Sequence, residues 1–218
     1  MQNQHSTLWT LSEQEYSSYR LVDAVKETKS RTGMPDAMAA SIQAAVLDYL
    51  GPGHRPYGHQ IKCWEYLYAK SSVVITTPTA SGKTMAFAPP ILDAVVHDDA
   101  SALYVFPLVD LAISQKSALD KLVASHGKQG DAPSPRIVEW HSAAADPKAR
   151  HSAGPYDFIL TTPESLHAKL LPSKGYRNNS EFFRRLRYVV LDEAHVYSGI
   201  FGTNMAFILR RLAHRCLV

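Results

Sequence analysis

Ser72 to Val96 reads SVVITTPTASGKTMAFAPPILDAVV. Its first five residues are a short β-branched run of strand length, and its last twelve are apolar at helical spacing. Between them, TPTASGKT has the strand, loop and helix order of a phosphate-binding loop. Gly82 lets backbone approach an anion closely, where a β-carbon would obstruct it. The cradle comprises Thr79, Ala80, Ser81 and Gly82, followed by Lys83 and Thr84. Amides at the helix start point at the phosphates, Lys83 brings a point charge to the β/γ-phosphates, and the Thr84 hydroxyl faces Mg²⁺. Thr77 and Ala80 stand where a general phosphate loop has glycine, and a lone GKT is also an ordinary helix start.

Working outward, four further runs have strand character: ALYVF (Ala102 to Phe106), RIVEW (Arg136 to Trp140), DFILT (Asp157 to Thr161) and YVVLD (Tyr188 to Asp192). Helical stretches separate most of them. Parallel neighbours need long crossovers, so the alternation predicts an α/β fold: a mainly parallel sheet of five strands with helices on both faces. Ligands of such sheets sit beyond the carboxyl ends of the strands. One of those ends carries YVVLDEAH, placing Asp192 to hold Mg²⁺ and Glu193 to orient an attacking water. An isolated acid pair is equally a solvated turn, but paired with the loop it points to a nucleoside triphosphatase.

The chain has 218 residues, 45% of them hydrophobic, enough for one large core. Lys and Arg number 23 against 20 Asp and Glu, so charge alone does not indicate a nucleic-acid partner. Cys63 and Cys216 are far apart and predict free thiols in a reducing compartment rather than a disulfide or zinc framework. MQNQHSTLWT lacks the features of a secretory signal, and no run reaches the ~20 apolar residues that span a bilayer, so a soluble, cytoplasmic protein without a membrane partner is expected. N-terminal helices precede the alternating region. Ser12 and Glu15 form a capping-box pattern ahead of Tyr16, Tyr19, Val22 and Val25, and a second helix is expected from Pro35 to Leu50 with Met38, Ile42, Ala45, Val46 and Tyr49 on one face.

Over Pro56 to Arg211 these residues resemble the superfamily 2 helicases of the DEAD/DEAH-box type, nearest to the Lhr-like and YprA-like DNA-helicase branch. TPTASGKT resembles motif I, DEAHVYSGIFGTNMAFILRRL motif II with its extended tail, PYGHQIKCW a Q-type motif, FPLVDLAISQ motif Ia and ILTTPESLH motif Ib. The resemblance implies a RecA-like motor domain using ATP and Mg²⁺. It accepts one glycine before the lysine, assigns Gln60 to the adenine edge and Tyr57 to stacking on the base, and makes His195 the link between nucleotide and strand separation. Without the resemblance, Gln60 is a helix cap, Tyr57 a core aromatic and His195 a structural side chain.

Motifs Ia and Ib place Pro107, Gln115, Thr162, Pro163 and Glu164 against the backbone of a single nucleic-acid strand, DNA in preference to RNA. Val109-Asp110 departs from the family pattern and weakens direct phosphate contact there. Arg184, Arg185 and Arg187 and the pair Arg210-Arg211 are candidates for electrostatic contact but read first as solvated charge, and Trp140-His141 as packing and loop rather than base stacking. The resemblance further implies a helical extension over 1–53 and a first motor domain over 54–218. The second RecA-like domain, which supplies the transition-state arginines, is absent from the chain, so the isolated domain is expected to be nearly inactive. The alternatives are an ATP-dependent nucleic-acid clamp without unwinding, an RNA helicase, or an unrelated triphosphatase acting on small molecules.

Overall fold

Four of the five apolar runs pair into one sheet. In the computed structural model, which describes residues 33–76, 81–130, 134–141 and 156–216, the strands are β1 (Ser101–Val105), β2 (Ile137–Trp140), β3 (Phe158–Thr161) and β4 (Leu186–Leu191). They run parallel in the order β2-β3-β1-β4, with Leu103 opposite both Ile159 and Val189. The helix expected around Ser12 lies outside the described residues, as do Thr77, Thr79 and Ala80.

Strand alternation divides the apolar residues between two cores. Ala102, Tyr104, Phe158 and Leu160 point to one face, which is covered by α1 (Ala40–Leu50), α2 (Gly58–Tyr68), α3 (Lys83–His97) and α4 (Val109–Gly127). Leu103, Val105, Val138 and Ile159 point to the other. There they meet α5 (Pro163–Ser165), the π-helical turn that continues it (Leu166–Leu170), α7 (Ser180–Arg185) and α8 (Gly199–Cys216), with α6 (Ser173–Asn178) leading into α7. Helices on both faces explain why β1 is buried along its whole length.

The fifth run, Ser72 to Thr76, forms no strand, which corrects the expectation of five. β4 ends the sheet, and its free edge and Ser72 to Thr76 line a single cleft of about 1910 Å³. A ladder needs backbones about 4.8 Å apart, and open space takes that place. Val74 and Val189 accordingly remain 70% and 42% exposed.

α1 begins at Ala40, five residues later than the sequence suggests, because Pro35 to Met38 closes a turn (Met38 N–H to Pro35 O, 2.9 Å). It stops as expected at Gly51, whose φ of +83° few other residues adopt readily. Met38, Ile42, Ala45 and Val46 are buried and Tyr49 packs beside them, so the expected face is the one that meets the core.

α3 contains Pro89 and Pro90, which have no amide hydrogen to give to the carbonyls of Met85 and Ala86. Trp64, fully buried on α2, donates its indole N–H to Met85 O at 2.8 Å and replaces one of the missing bonds. Further along α3, the buried Asp93 carboxylate accepts from Ala39 N (3.0 Å) and from the Tyr68 hydroxyl, and pairs with His97 Nδ1 (2.7 Å). Burial, followed by this carboxylate, pushes the Tyr68 phenol up. One helix thereby anchors both α1 and α2.

Arg184 and Arg187 are solvated as expected, whereas Arg185 is not. Only 6% of its side chain is exposed, and it holds Asp99 (3.0 Å), Asp157 (3.1 Å) and the Tyr156 carbonyl (2.7 Å). Trp140 and His141 are buried, and Cys63 and Cys216 are free thiols. Among the described residues no helix is long and apolar enough to cross a membrane.

Candidate nucleotide site

β4 delivers the acid pair. The Asp192 amide donates to Val105 O (3.1 Å), extending the ladder by one residue and fixing Asp192 at the carboxyl exit beside β1. The chain then turns sharply: Glu193 sits in the left-handed region (φ +47°, ψ +44°), which costs a non-glycine residue free energy. Its amide donates to Asp192 Oδ1 (3.0 Å), its Oε1 lies 4.0 Å from Lys83 Nζ, and its Oε2 lies 3.2 Å from His195 Nδ1.

Lys83, Asp192, Glu193 and His195 all line the cleft that separates Ser72 to Thr76 from β4. Residues about 110 positions apart by sequence reading thus share one hollow. His195 stands at its rim, with 75% of its side chain exposed. Burial raises the Asp192 carboxyl above its ordinary range; the bond from the Glu193 amide opposes this, the Glu193 charge adds to it, and Lys83 draws it down.

Gly82 caps α3 in the left-handed conformation (φ +75°). The positive φ favours glycine, and a β-carbon there would stand 2.7 Å from Gln60 Nε2 and displace the end of that side chain. Gln60, at the start of α2, is itself engaged at both ends: Oε1 accepts from Tyr57 N (2.9 Å) and Nε2 donates to Gly82 O (3.0 Å). The first bond belongs to a capping box; the second ties that box to the loop. Tyr57 is 37% exposed and stacks on His59 at 5.7 Å. Ser81 is buried. Thr84, in the first turn of α3, donates its hydroxyl proton to Gln115 Oε1 at 2.7 Å.

Because β1 lies between β3 and β4, the loop after β1 emerges between the loop after β3 and the acid pair. Pro107 and the 63%-exposed Leu108 occupy the first loop. In the second, Thr162 caps α5 by accepting from Ser165 N (3.3 Å), Pro163 is buried and Glu164 is exposed. Gln115, which the resemblance groups with the candidate strand-contacting residues, accepts from the Thr84 hydroxyl in the first turn of α3.

Tyr197 was not singled out from the sequence. Burial pushes its phenol up to about 12, with the charges of Asp192 and Glu164 adding to the effect, and its ring centroid lies 5.3 Å from that of Phe201. Its only sequence signal is an aromatic closely following the acids.

Residues 57–218 match the DEAD/DEAH box helicase family. The uncharacterized ATP-dependent helicase YprA of Bacillus subtilis (strain 168) is 34% identical over 196 residues, a match covering 88% of this chain and 24% of YprA. The ATP-dependent helicase HRQ1 of Saccharomyces cerevisiae is 31% identical over 171 residues, covering 77% of this chain and 15% of HRQ1. The crystal structure of the DUF1998 helicase MrfA bound to DNA and AMPPNP superposes with a TM-score of 0.75 at 32% identity, over 88% of this chain and 26% of that one. The chain therefore spans about a quarter of the length of the first of these relatives and less of the second. With a glycine-capped lysine loop and an acid pair facing one cleft of a parallel α/β sheet, the chain belongs to the DEAD/DEAH box helicase family and has its RecA-like fold.

Proposed function

We propose that this domain is the first motor of a cytoplasmic DNA helicase or translocase, one that couples hydrolysis of Mg-ATP to movement on single-stranded DNA. The observation that carries the proposal is the shared cleft: Lys83 Nζ lies 4.0 Å from Glu193 Oε1, and both residues line the same hollow as Asp192. In this reading Lys83 neutralises the β/γ-phosphates while Glu193 orients water for in-line attack. Gln60 uses one lone pair and one hydrogen of its amide on Tyr57 and Gly82, which leaves one of each for an adenine edge, with Tyr57 beside the base. Thr79, Ala80, Ser81 and Gly82 complete the phosphate cradle.

The residues suit a divalent cation. Asp192 is a partly buried carboxylate whose own pKa is raised by burial, and the nearest cation, Lys83, faces Glu193; a hard metal ion would offset that burial. Asp192 and Thr84 would hold Mg²⁺, which when bound supplies charge neutralisation at the phosphates.

The two loops beside the site give Pro107, Thr162, Pro163 and Glu164 a place against one strand's phosphates and sugars. They offer amides and hydroxyls rather than base-reading side chains, which fits contact with the backbone. His195, bonded to Glu193 at the cleft rim, is suited to relay nucleotide state to the strand. Residues 54–218 form this motor, 1–53 an extension whose α1 packs on the motor core, and a second RecA-like domain closes the cleft with its arginines.

The test is ATP turnover by the longer parent protein with and without single-stranded DNA, beside Glu193→Gln. We expect stimulation by DNA and a loss of about 10²-fold or more in the variant with nucleotide binding kept. Unchanged turnover in Glu193→Gln would refute the role of Glu193, and stimulation by RNA alone would replace the DNA assignment.

A further inference from the structure

The bond between Thr84 and Gln115 joins residues 31 positions apart, at 2.7 Å. Its direction is fixed chemically: an amide oxygen only accepts, so the proton on Thr84 points at Gln115. Both side chains are half-buried, so neither needs the other merely to escape an unsatisfied interior. A threonine hydroxyl has one proton and two lone pairs. With the proton committed to Gln115, what Thr84 presents elsewhere is lone-pair density, the form in which a hydroxyl ligates a hard cation.

We propose that Gln115 is a positioning residue for the metal. It holds the Thr84 hydroxyl in the rotamer and proton orientation that presents its lone pairs to Mg²⁺. The inference rests on the proposed reading of Thr84 as a Mg²⁺ ligand. Gln115 lies in the second turn of α4, directly behind the loop that leaves β1, so the bond also ties the first turn of α3 to the element that follows the candidate strand-contacting loop. Groups that orient a metal ligand in this way are typically worth 10–100-fold in metal affinity.

The test uses the 218-residue chain, a fluorescent ADP, and titrations in MgCl₂ and in EDTA. Gln115→Met keeps the side-chain length and removes the acceptor; Gln115→Glu keeps an acceptor oxygen. We expect Gln115→Met to lose about tenfold of the affinity measured in MgCl₂ and none of that measured in EDTA, with Gln115→Glu restoring the magnesium-dependent gain. The proposal is overturned if Gln115→Met keeps the wild-type ratio between the two titrations, or if it weakens both equally, as a purely structural bond would. If the wild-type chain shows no magnesium-dependent gain, the metal assignment under the proposed function fails and takes this inference with it. A wild-type gain matched by Gln115→Met removes this inference alone.

Discussion

Asp192 shows how the site sets charge against burial. Its carboxyl is held above the ordinary carboxylate range, chiefly by burial. The unfolded chain therefore releases this proton at lower pH than the folded one. As pH rises from the unfolded value through the raised folded value, ionisation favours the unfolded state, and this group's contribution to stability declines across that window. Asp192→Asn cannot ionise. In melts without divalent cation we expect its Tm to exceed wild type at pH 7 and the gap to narrow towards pH 4. A gap that widened on acidification would show that the carboxylate is stabilised where it lies. Glu193, at φ +47°, is a second residue of the cleft whose conformation costs stability.

At the scale of elements, α3 carries the largest structural burden. Its prolines, Pro89 and Pro90, leave the Met85 and Ala86 carbonyls of the first turn without backbone donors, and the Trp64 indole on α2 replaces one. Trp64→Phe keeps an aromatic ring but strands the Met85 carbonyl and leaves a void. We expect a loss of roughly 2–4 kcal/mol, read from the urea midpoint at unchanged slope. A loss below about 1 kcal/mol would mean that another donor reaches Met85. The proline pair was visible in the sequence but its remedy was not, because Trp64 lies 21 residues away on another helix. Gln60 behaves similarly: its cap to Tyr57 is local and legible, whereas its bond to Gly82 depends on how α2 lies against the loop.

At the scale of the molecule, the sheet separates two cores, and the nucleotide cleft opens beside its β4 edge rather than inside either core. In the proposed reading a second RecA-like domain supplies the transition-state arginines. We expect ATP turnover by the 218-residue chain to fall about 10³-fold or more below that of the parent protein, the scale of losing a transition-state arginine. Brisk DNA-stimulated turnover by this chain, abolished in Lys83→Ala, would show that one domain suffices.

Local pattern determined much of this protein. The β-branched runs located four strands to within about two residues, the apolar stripe of α1 identified its buried face, and the lysine and acid pair marked residues that line one cleft. Each of these follows from backbone periodicity or from chemistry between adjacent residues, which a linear sequence records directly. Tertiary structure alone decided the strand order, left Ser72 to Thr76 outside the sheet, buried Arg185 between Asp99 and Asp157, and set Gln115 against Thr84. Those outcomes depend on which distant surfaces meet and at what spacing, and no periodicity along the chain encodes a distance between its remote parts.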